Sequence, residues 1–340
     1  MGQQIKWVDD TLTKQQVATK VNDELYNNNR VSATVSFNHK VNTVVNFKAG
    51  MYASLLDYKF NKGEWNYSNN SFKPNVIMGE GNSWLLQPYL QFGIKPNSRI
   101  LINPGVHTMY FALNKQFVVD PRLSVQYRFS AKTNLSAAYG LHSKLLPLGS
   151  YFYQSGASFP NKDLKMMRSH HYILAFDQLL GKRWRFHVEA YRQQLFQIPV
   201  VDNVNRTYWI LNEMEGYANE ALVSKGKGTN TGVDVSLEKF FSKGLFMIAS
   251  FSVFDSKFIP LDGKSYNTRF NSRTSASWVG TKEWRLKKNK VLQVGWKMLY
   301  NGGVPLTPLA AVQNGSTKQP LLDESRPFTE FVRPYWRSDG

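Results

Sequence analysis

The feature that most constrains this chain is the rhythm of its connections. Segments that alternate apolar and polar residues recur along its 340 residues. Val31, Ala33, Val35 and Phe37 alternate with Ser32, Thr34, Ser36 and Asn38. Leu123, Val125, Tyr127 and Phe129 alternate with Arg122, Ser124, Gln126 and Arg128. Leu292, Val294, Trp296, Met298 and Tyr300 repeat the pattern near the end of the chain. A period of two places one apolar and one polar face on each strand. The pattern predicts twelve strands, over about 30–38, 43–60, 83–94, 99–113, 117–129, 133–145, 168–179, 184–200, 225–240, 245–258, 266–285 and 291–300, with a thirteenth starting near Tyr335. Many reach the roughly 9–11 residues that cross a bilayer.

Short and long connections take turns between these strands. Segments 39–42, 95–98, 130–132, 180–183, 241–244 and 286–290 are short; 61–82, 146–167, 201–224 and 301–334 are long. Segment 259–265 is intermediate and 114–116 is a compact exception. An up-and-down sheet puts every second connection at the same end, so one end carries tight turns and the other tall loops. That asymmetry belongs to outer-membrane barrels. The predicted fold is all-β: an antiparallel up-and-down transmembrane β-barrel over 30–340, with 1–29 as an extracellular loop or disordered lead-in.

Charge fits the same picture. The net charge is +18, from 42 basic and 24 acidic side chains. The six tight turns hold Lys40, Lys95, Lys132, Lys182, Arg183, Lys243, Lys287, Lys288 and Lys290 and no acid, which accounts for half of that excess. A rim of lysines suits water and anionic lipid headgroups. Nucleic acid is not the expected partner, because a binding groove would interleave cations with stacking aromatics on one face. Phe37, Phe92, Phe129, Trp184, Phe240, Phe246 and Trp284 cluster beside these turns, as in an interfacial aromatic girdle. The loop 201–224 is instead acid-containing, with Asp202, Glu213, Glu215 and Glu220. The mean hydropathy of −0.40 excludes a helical membrane protein. The absence of cysteine excludes disulfide scaffolds, thiolate metal sites and cysteine nucleophiles.

Motifs for bond-breaking chemistry do not emerge. GKGTNTG at Gly226–Gly232 has glycines but leads into a strand, with no helix to hold a phosphate. Asp9–Asp10 and Asp323–Glu324 lie in polar, loop-like sequence and read as solvated or turn residues. The expectation is a protein that is not an enzyme, with no cofactor and no metal site. His142 lies near the outer end of one strand, and His170 with His171 opens the next; the adjacent pair points to opposite faces, so only one of them can meet His142. His142 and His170 are carried forward as ligand-contact candidates. So are Tyr151 and Tyr153 in one tall loop, and Tyr208 and Trp209 in another, since aromatic rings at the mouth can stack on a ligand or pack their own loop.

The run DPRLSVQYRFSAKTNLSAAYGLHSKLLPL, Asp120–Leu148, resembles the barrel of TonB-dependent outer-membrane receptors of the Bacteroidetes type. SHHYIL at Ser169–Leu174, LEKFFSKG at Leu237–Gly244, FDSKF at Phe254–Phe258 and GTKEW at Gly280–Trp284 continue the resemblance. YNGG at Tyr300–Gly303 and DESRPF at Asp323–Phe328 complete it in the same order. It implies an outer-membrane receptor with about 22 strands around a plug domain, energised through the TonB complex and taking up an extracellular nutrient. The chain departs from that pattern: plug and coupling motif are missing, the strands are too few, and WRSDG stands where more strands would follow. The expectation is therefore a fragment, comprising barrel wall and extracellular loops. The alternatives are a complete small porin-like passive channel and a soluble all-β surface-binding protein.

Overall fold

The computed structural model describes residues 2–9, 16–66, 69, 71–214, 217–310 and 322–340. In chain order the strands are β1 Gly2–Asp9, β2 Gln16–Lys40, β3 Val45–Asn66, β4 Ser71–Ile94, β5 Ile100–Phe111, β6 Gln116–Ser130, β7 Thr133–Lys144, β8 Met167–Leu180 and β9 Trp184–Val201. They continue as β10 Leu222–Ser242, β11 Leu245–Ile259, β12 Tyr266–Asn267, β13 Thr274–Arg285, β14 Val291–Asn301, β15 Pro305–Leu306, β16 Glu330–Phe331 and β17 Tyr335–Asp339. Fourteen of them follow one another in a single antiparallel path, β1 to β11, then β13, β14 and β17. The short β12 adds to β11, and β15 pairs with β16 apart from the main sheet. The sheet is open, and its path is up-and-down, as the loop rhythm requires.

Each tight turn has its own chemistry. The Asn42 side-chain oxygen accepts the amides of Val44 and Val45 at 2.8 and 2.7 Å, and Asn97 accepts those of Arg99 and Ile100 at 2.9 and 3.0 Å. Between β10 and β11 the turn is two residues long: Ser242 pairs with Leu245, and Lys243 and Gly244 sit at φ 49° and 72°. Two consecutive left-handed residues give a hairpin turn whose twist matches that of the strands. The five-residue β13–β14 connection also holds two consecutive left-handed residues, Lys288 and Asn289 at 61° and 53°.

Three expectations are corrected. The lead-in 1–29 is extended and paired where described: β1 pairs with β2, and β2 runs in register along β3 from Asn22↔Glu64 to Lys40↔Asn46. Segment 61–82 is not a loop but the tip of the β3–β4 hairpin, paired out to Asn66↔Ser71. Both stretches lack the alternating pattern because their ladders stand beyond the part of the wall where one face is apolar and the other polar. Segment 266–285 is not one strand. Between β12 and β13 the buried Asn271 replaces the ladder, accepting the Ser256 amide at 3.0 Å and donating to Asp255 at 2.8 Å.

Register sorts the side chains into two faces. On β2 and β6, Val31, Val35, Phe37, Leu123, Val125 and Phe129 share the outward face, and Val31 and Val35 are each 72% exposed. The opposite face carries Arg30, Ser32, Ser54, Arg122 and Ser124; there Arg30 donates to Ser54 at 2.9 Å, and Asn103 to Ser124 at 3.1 Å. A cavity on this polar face is lined by residues from β3 through β8, so the polar face is the concave one. The greasy side chains do not converge on a common interior between the strands. They form a continuous exposed surface, which is stable against lipid rather than water. The buried apolar core lies elsewhere, at the tall-loop end.

The left-handed turn gives a sharp test. A Cβ on Gly244 would stand 2.3 Å from the Glu283 carbonyl oxygen, whereas one on Gly295 would have nothing nearer than 3.8 Å. Gly244→Ala is expected to destabilise the folded chain by about 1–3 kcal/mol, and Gly295→Ala to leave it unchanged or slightly firmer. Denaturant midpoints of the two variants in the same detergent check this.

Candidate functional site

The tall loops fold inward over the mouth of the concave face. Loop 145–166 and loop 202–221 bring Leu146, Leu148, Tyr151, Leu164, Trp209, Ile210 and Tyr217 into one buried cluster with Leu56, Phe60, Phe111, Val200 and Phe258 of the strands. Buried amides supply the polar pairing such a roof needs, since buried backbone groups must find partners. Asn161 donates to the Glu220 carbonyl and accepts the Leu222 amide, both at 2.8 Å, and so joins the two loops. Gln116 donates to the Leu164 carbonyl at 2.6 Å and accepts the Met166 amide at 2.8 Å. The roof also reaches across the wall: the Lys62 ammonium of β3 bonds the Tyr217 hydroxyl and lies 3.9 Å from its ring centroid. Arg206 bridges Glu220 and Glu324, each at 2.9 Å, and ties loop 202–221 to the segment before β16. Of the acids expected in loop 201–224, Glu215 lies outside the described residues.

Beneath the roof, two cavities share the concave face. The first, about 460 Å³, is lined by Lys48, Tyr89, His107, Arg122, His142 and His171 among others, and no carboxylate lines it. The second, about 530 Å³, adjoins it at His171 and Ile173 and is lined by Glu189, Asp234, Tyr191, Gln193 and Trp209, with no lysine or arginine. Glu189 and Asp234 are direct register partners on β9 and β10, an arrangement of like charges that normally disfavours pairing. The concave face is thus basic on one side and acidic on the other.

The six candidates separate. Tyr151 is fully buried, its ring 5.6 Å from Phe111, and burial pushes its phenol well above the usual range. It offers no surface to a ligand, because the loop closes on itself around this residue. Trp209 is also buried, stacked on Phe258 at 5.1 Å and 11°, yet it edges the second cavity. Tyr153 is half-buried beside the Lys73 ammonium, 5.8 Å from the ring centroid. Tyr208 is half-buried and lines a smaller cavity of about 250 Å³ with Arg206, Thr307 and Phe328. His142 meets His171, not His170: their ring centroids are 4.3 Å apart on the first cavity's wall. His170 points to the other face, where its Nδ1 lies 3.0 Å from the Tyr139 hydroxyl and its ring stacks on Phe196 at 5.1 Å. Alternation along β8 forces this separation. Among the described residues no group of three or more ligating side chains could hold a metal ion.

Sequence reasoning missed one cluster. The fully buried Asp120 of β6 accepts the Ser143 amide at 2.9 Å, the Ser143 hydroxyl at 2.7 Å and the Arg168 guanidinium at 3.2 Å, with His107 at 3.8 Å. It clamps β5, β6, β7 and β8 just below the roof. The available signal was an acid opening the alternating run that follows it.

The roof's anchor can be tested. Trp209→Ala is expected to remove about 3–5 kcal/mol of packing and to speed protease cleavage within 202–221 at least tenfold. Tyr208→Phe leaves the apolar packing in place and should change cleavage less than twofold. Time courses of limited proteolysis on the folded chain decide between these outcomes.

Comparison with known proteins agrees with this architecture. The family model described as TonB dependent receptor-like, beta-barrel matches residues 5–339. No curated protein sequence matches the chain. Among solved structures, the ferric yersiniabactin uptake receptor FyuA from Yersinia pestis superposes with TM-score 0.66 at 13% identity, covering 94% of this chain and 46% of its own. The pyoverdine outer membrane receptor FpvA from Pseudomonas aeruginosa gives 0.62 at 13% identity, covering 95% and 47%, and the FrpB iron transporter from Neisseria meningitidis gives 0.58 at 12%, covering 92% and 47%. The chain spans less than half the length of these structures, and at such identities they show the fold alone. With the model match running almost from end to end, the open sheet, outward apolar face and roofed polar concavity place the chain in the outer membrane as a member of the TonB-dependent receptor β-barrel family.

Proposed function

We propose that the chain supplies wall and extracellular loops for energy-coupled uptake of a scarce nutrient, in a receptor of the Bacteroidetes type that its segments resemble. The observation that carries this reading is the polar concave face roofed at one end by inward-folded loops. A ligand arriving from outside meets the tall loops first, and the cavities beneath them have the volume of ordinary small-molecule sites. Tyr153, Tyr208, Trp209 and His142, together with His171, border those cavities or the loops above them and are the proposed ligand contacts. His170, facing outward among Tyr139 and Phe196, is assigned instead to the aromatic band at the membrane boundary. In the whole receptor, the proposed partners are the extracellular ligand, its own plug domain, the TonB complex and the surrounding outer-membrane lipid. The family is one of receptors and transporters, and the reading asks no residue of this chain to break a bond.

Two measurements test the proposal. The chain has no native cysteine, so labelling of an introduced one is read against the same receptor without it. With the chain expressed in its native receptor, Ser155→Cys in a tall loop should react with a membrane-impermeant maleimide on intact cells, and Lys288→Cys in a tight turn should react only after the cells are opened. The reverse pattern would invert the orientation and defeat the reading. Uptake that continues at full rate after the proton-motive force is collapsed would indicate a passive channel instead.

A further inference from the structure

At the tight-turn end, charge is sorted across the wall. Three turns are neighbours in sheet order: those joining β8 to β9, β10 to β11 and β13 to β14. They hold the exposed Lys182, Arg183, Lys243, Lys287, Lys288 and Lys290. One step up the wall, Lys239 is the register partner of Trp184, with its ammonium 5.8 Å from the ring centroid. Lys282 stands two residues from Trp284, with its ammonium 5.6 Å from that ring. By alternation these two lysines and two tryptophans share the outward face with Val233, Val235 and Trp278. The acids next to them in sequence, Glu238 and Glu283, fall on the opposite face. Glu238 there stands opposite Arg185, which itself holds Asp177 at 2.5 Å.

Both outward lysines are held by neutral acceptors. Lys239 donates to the Ser242 hydroxyl at 2.8 Å and the Leu245 carbonyl at 3.2 Å, and Lys282 donates to the Lys243 carbonyl at 2.9 Å. Neither forms an ion pair among the described residues. Leu180, the register partner of Trp184, and Leu292, that of Trp284, continue the same face with about half their surface exposed. Indole rings favour the boundary between hydrocarbon and headgroups, and clustered cations there favour negative lipid.

We propose that this corner is a binding site for an anionic phospholipid, with the headgroup phosphate between Lys239, Lys282 and Lys243, the tryptophans flanking it, and the acyl chains running up the outward face along Val235, Val233 and Trp278. A soluble acidic partner would not explain why the cations share a face with exposed leucines while the acids turn inward. The site depends on the wall lying in a membrane and not on what the receptor carries, so its test requires no ligand and no energy source.

The experiment places the full chain in nanodiscs of equal phosphatidylethanolamine and phosphatidylglycerol, extracts it gently, and counts retained lipids by native mass spectrometry. Phosphatidylglycerol should be retained preferentially. Removing charge in K239Q/K282Q should reduce that preference by about fivefold per lysine. K239R/K282R should keep it, and K132Q, in a turn with a single lysine, should leave it untouched. Equal retention of the two lipids, or a preference unchanged in K239Q/K282Q with strand content intact by circular dichroism, overturns the site. If the glutamine variant loses strand content, the wild-type chain at about 0.5 M salt decides instead: a preference that survives such screening counts against the site. Capture of an acidic soluble protein without any lipid preference also overturns it.

Discussion

Everything in this wall depends on one constraint: a backbone amide or carbonyl that faces hydrocarbon has no water to turn to. An up-and-down antiparallel sheet meets that demand by handing the groups of each inner strand to the neighbours on its two sides. The unbroken path from β1 to β17 is that solution, and the tight turns exist to hand each ladder to the next with no gap. Where the chain leaves the ladder it does so at the tall-loop end. There Asn161, Gln116 and Asn271 take over, each presenting side-chain amide groups where a strand would have presented backbone. Asn161 and Asn271 are buried, and Gln116 half-buried, because the loops they hold fold onto the mouth.

Once the ladder is set, alternation decides which side chains meet lipid and which meet the lumen. A single step along β8 separates His170, among outward aromatics, from His171, beside His142 in the basic cavity. A single step along β10 separates Lys239 from Glu238. The charges of the concave face are therefore not a sum over the sequence but a selection of every second residue. That selection yields a basic cavity and an acidic one side by side, from a chain whose overall balance is strongly positive.

The sequence made the wall legible because period two survives wherever one face is apolar and the other polar. Val31 to Phe37 and Leu123 to Phe129 could be placed on a face from their spacing alone. The same rule went silent at 16–29 and 61–82, where strands continue past the membrane and neither face is set by lipid. It also went silent at 266–273, where one buried asparagine interrupts the pattern without any change in composition. The candidate site was only half legible. That His170 and His171 part company follows from alternation, but which of them meets His142 needs the register. That Tyr151 is sealed while Tyr153, two residues on, stays half-exposed depends on Phe111 and on a loop folding back, contacts that no local pattern carries.

The width of the concave face follows from a pairing of glycine with tyrosine. The hydroxyl end of Tyr89 lies over Gly50, and that of Tyr191 over Gly232; a Cβ on either glycine would stand 2.7 Å from the phenol ring carbon that bears the hydroxyl. Any larger residue at these positions would lift a bulky ring off the wall and into the space it borders. Tyr89 lines the basic cavity and Tyr191 the acidic one, so each hollow is kept open by the same device. The rings meanwhile shield the bare glycine backbone that a side chain would otherwise cover. A wall built this way keeps the ladder continuous and the lumen wide at once. Neither glycine can therefore be read as a weak point in its strand: each is the reason that a large aromatic can be polar-facing without filling the cavity.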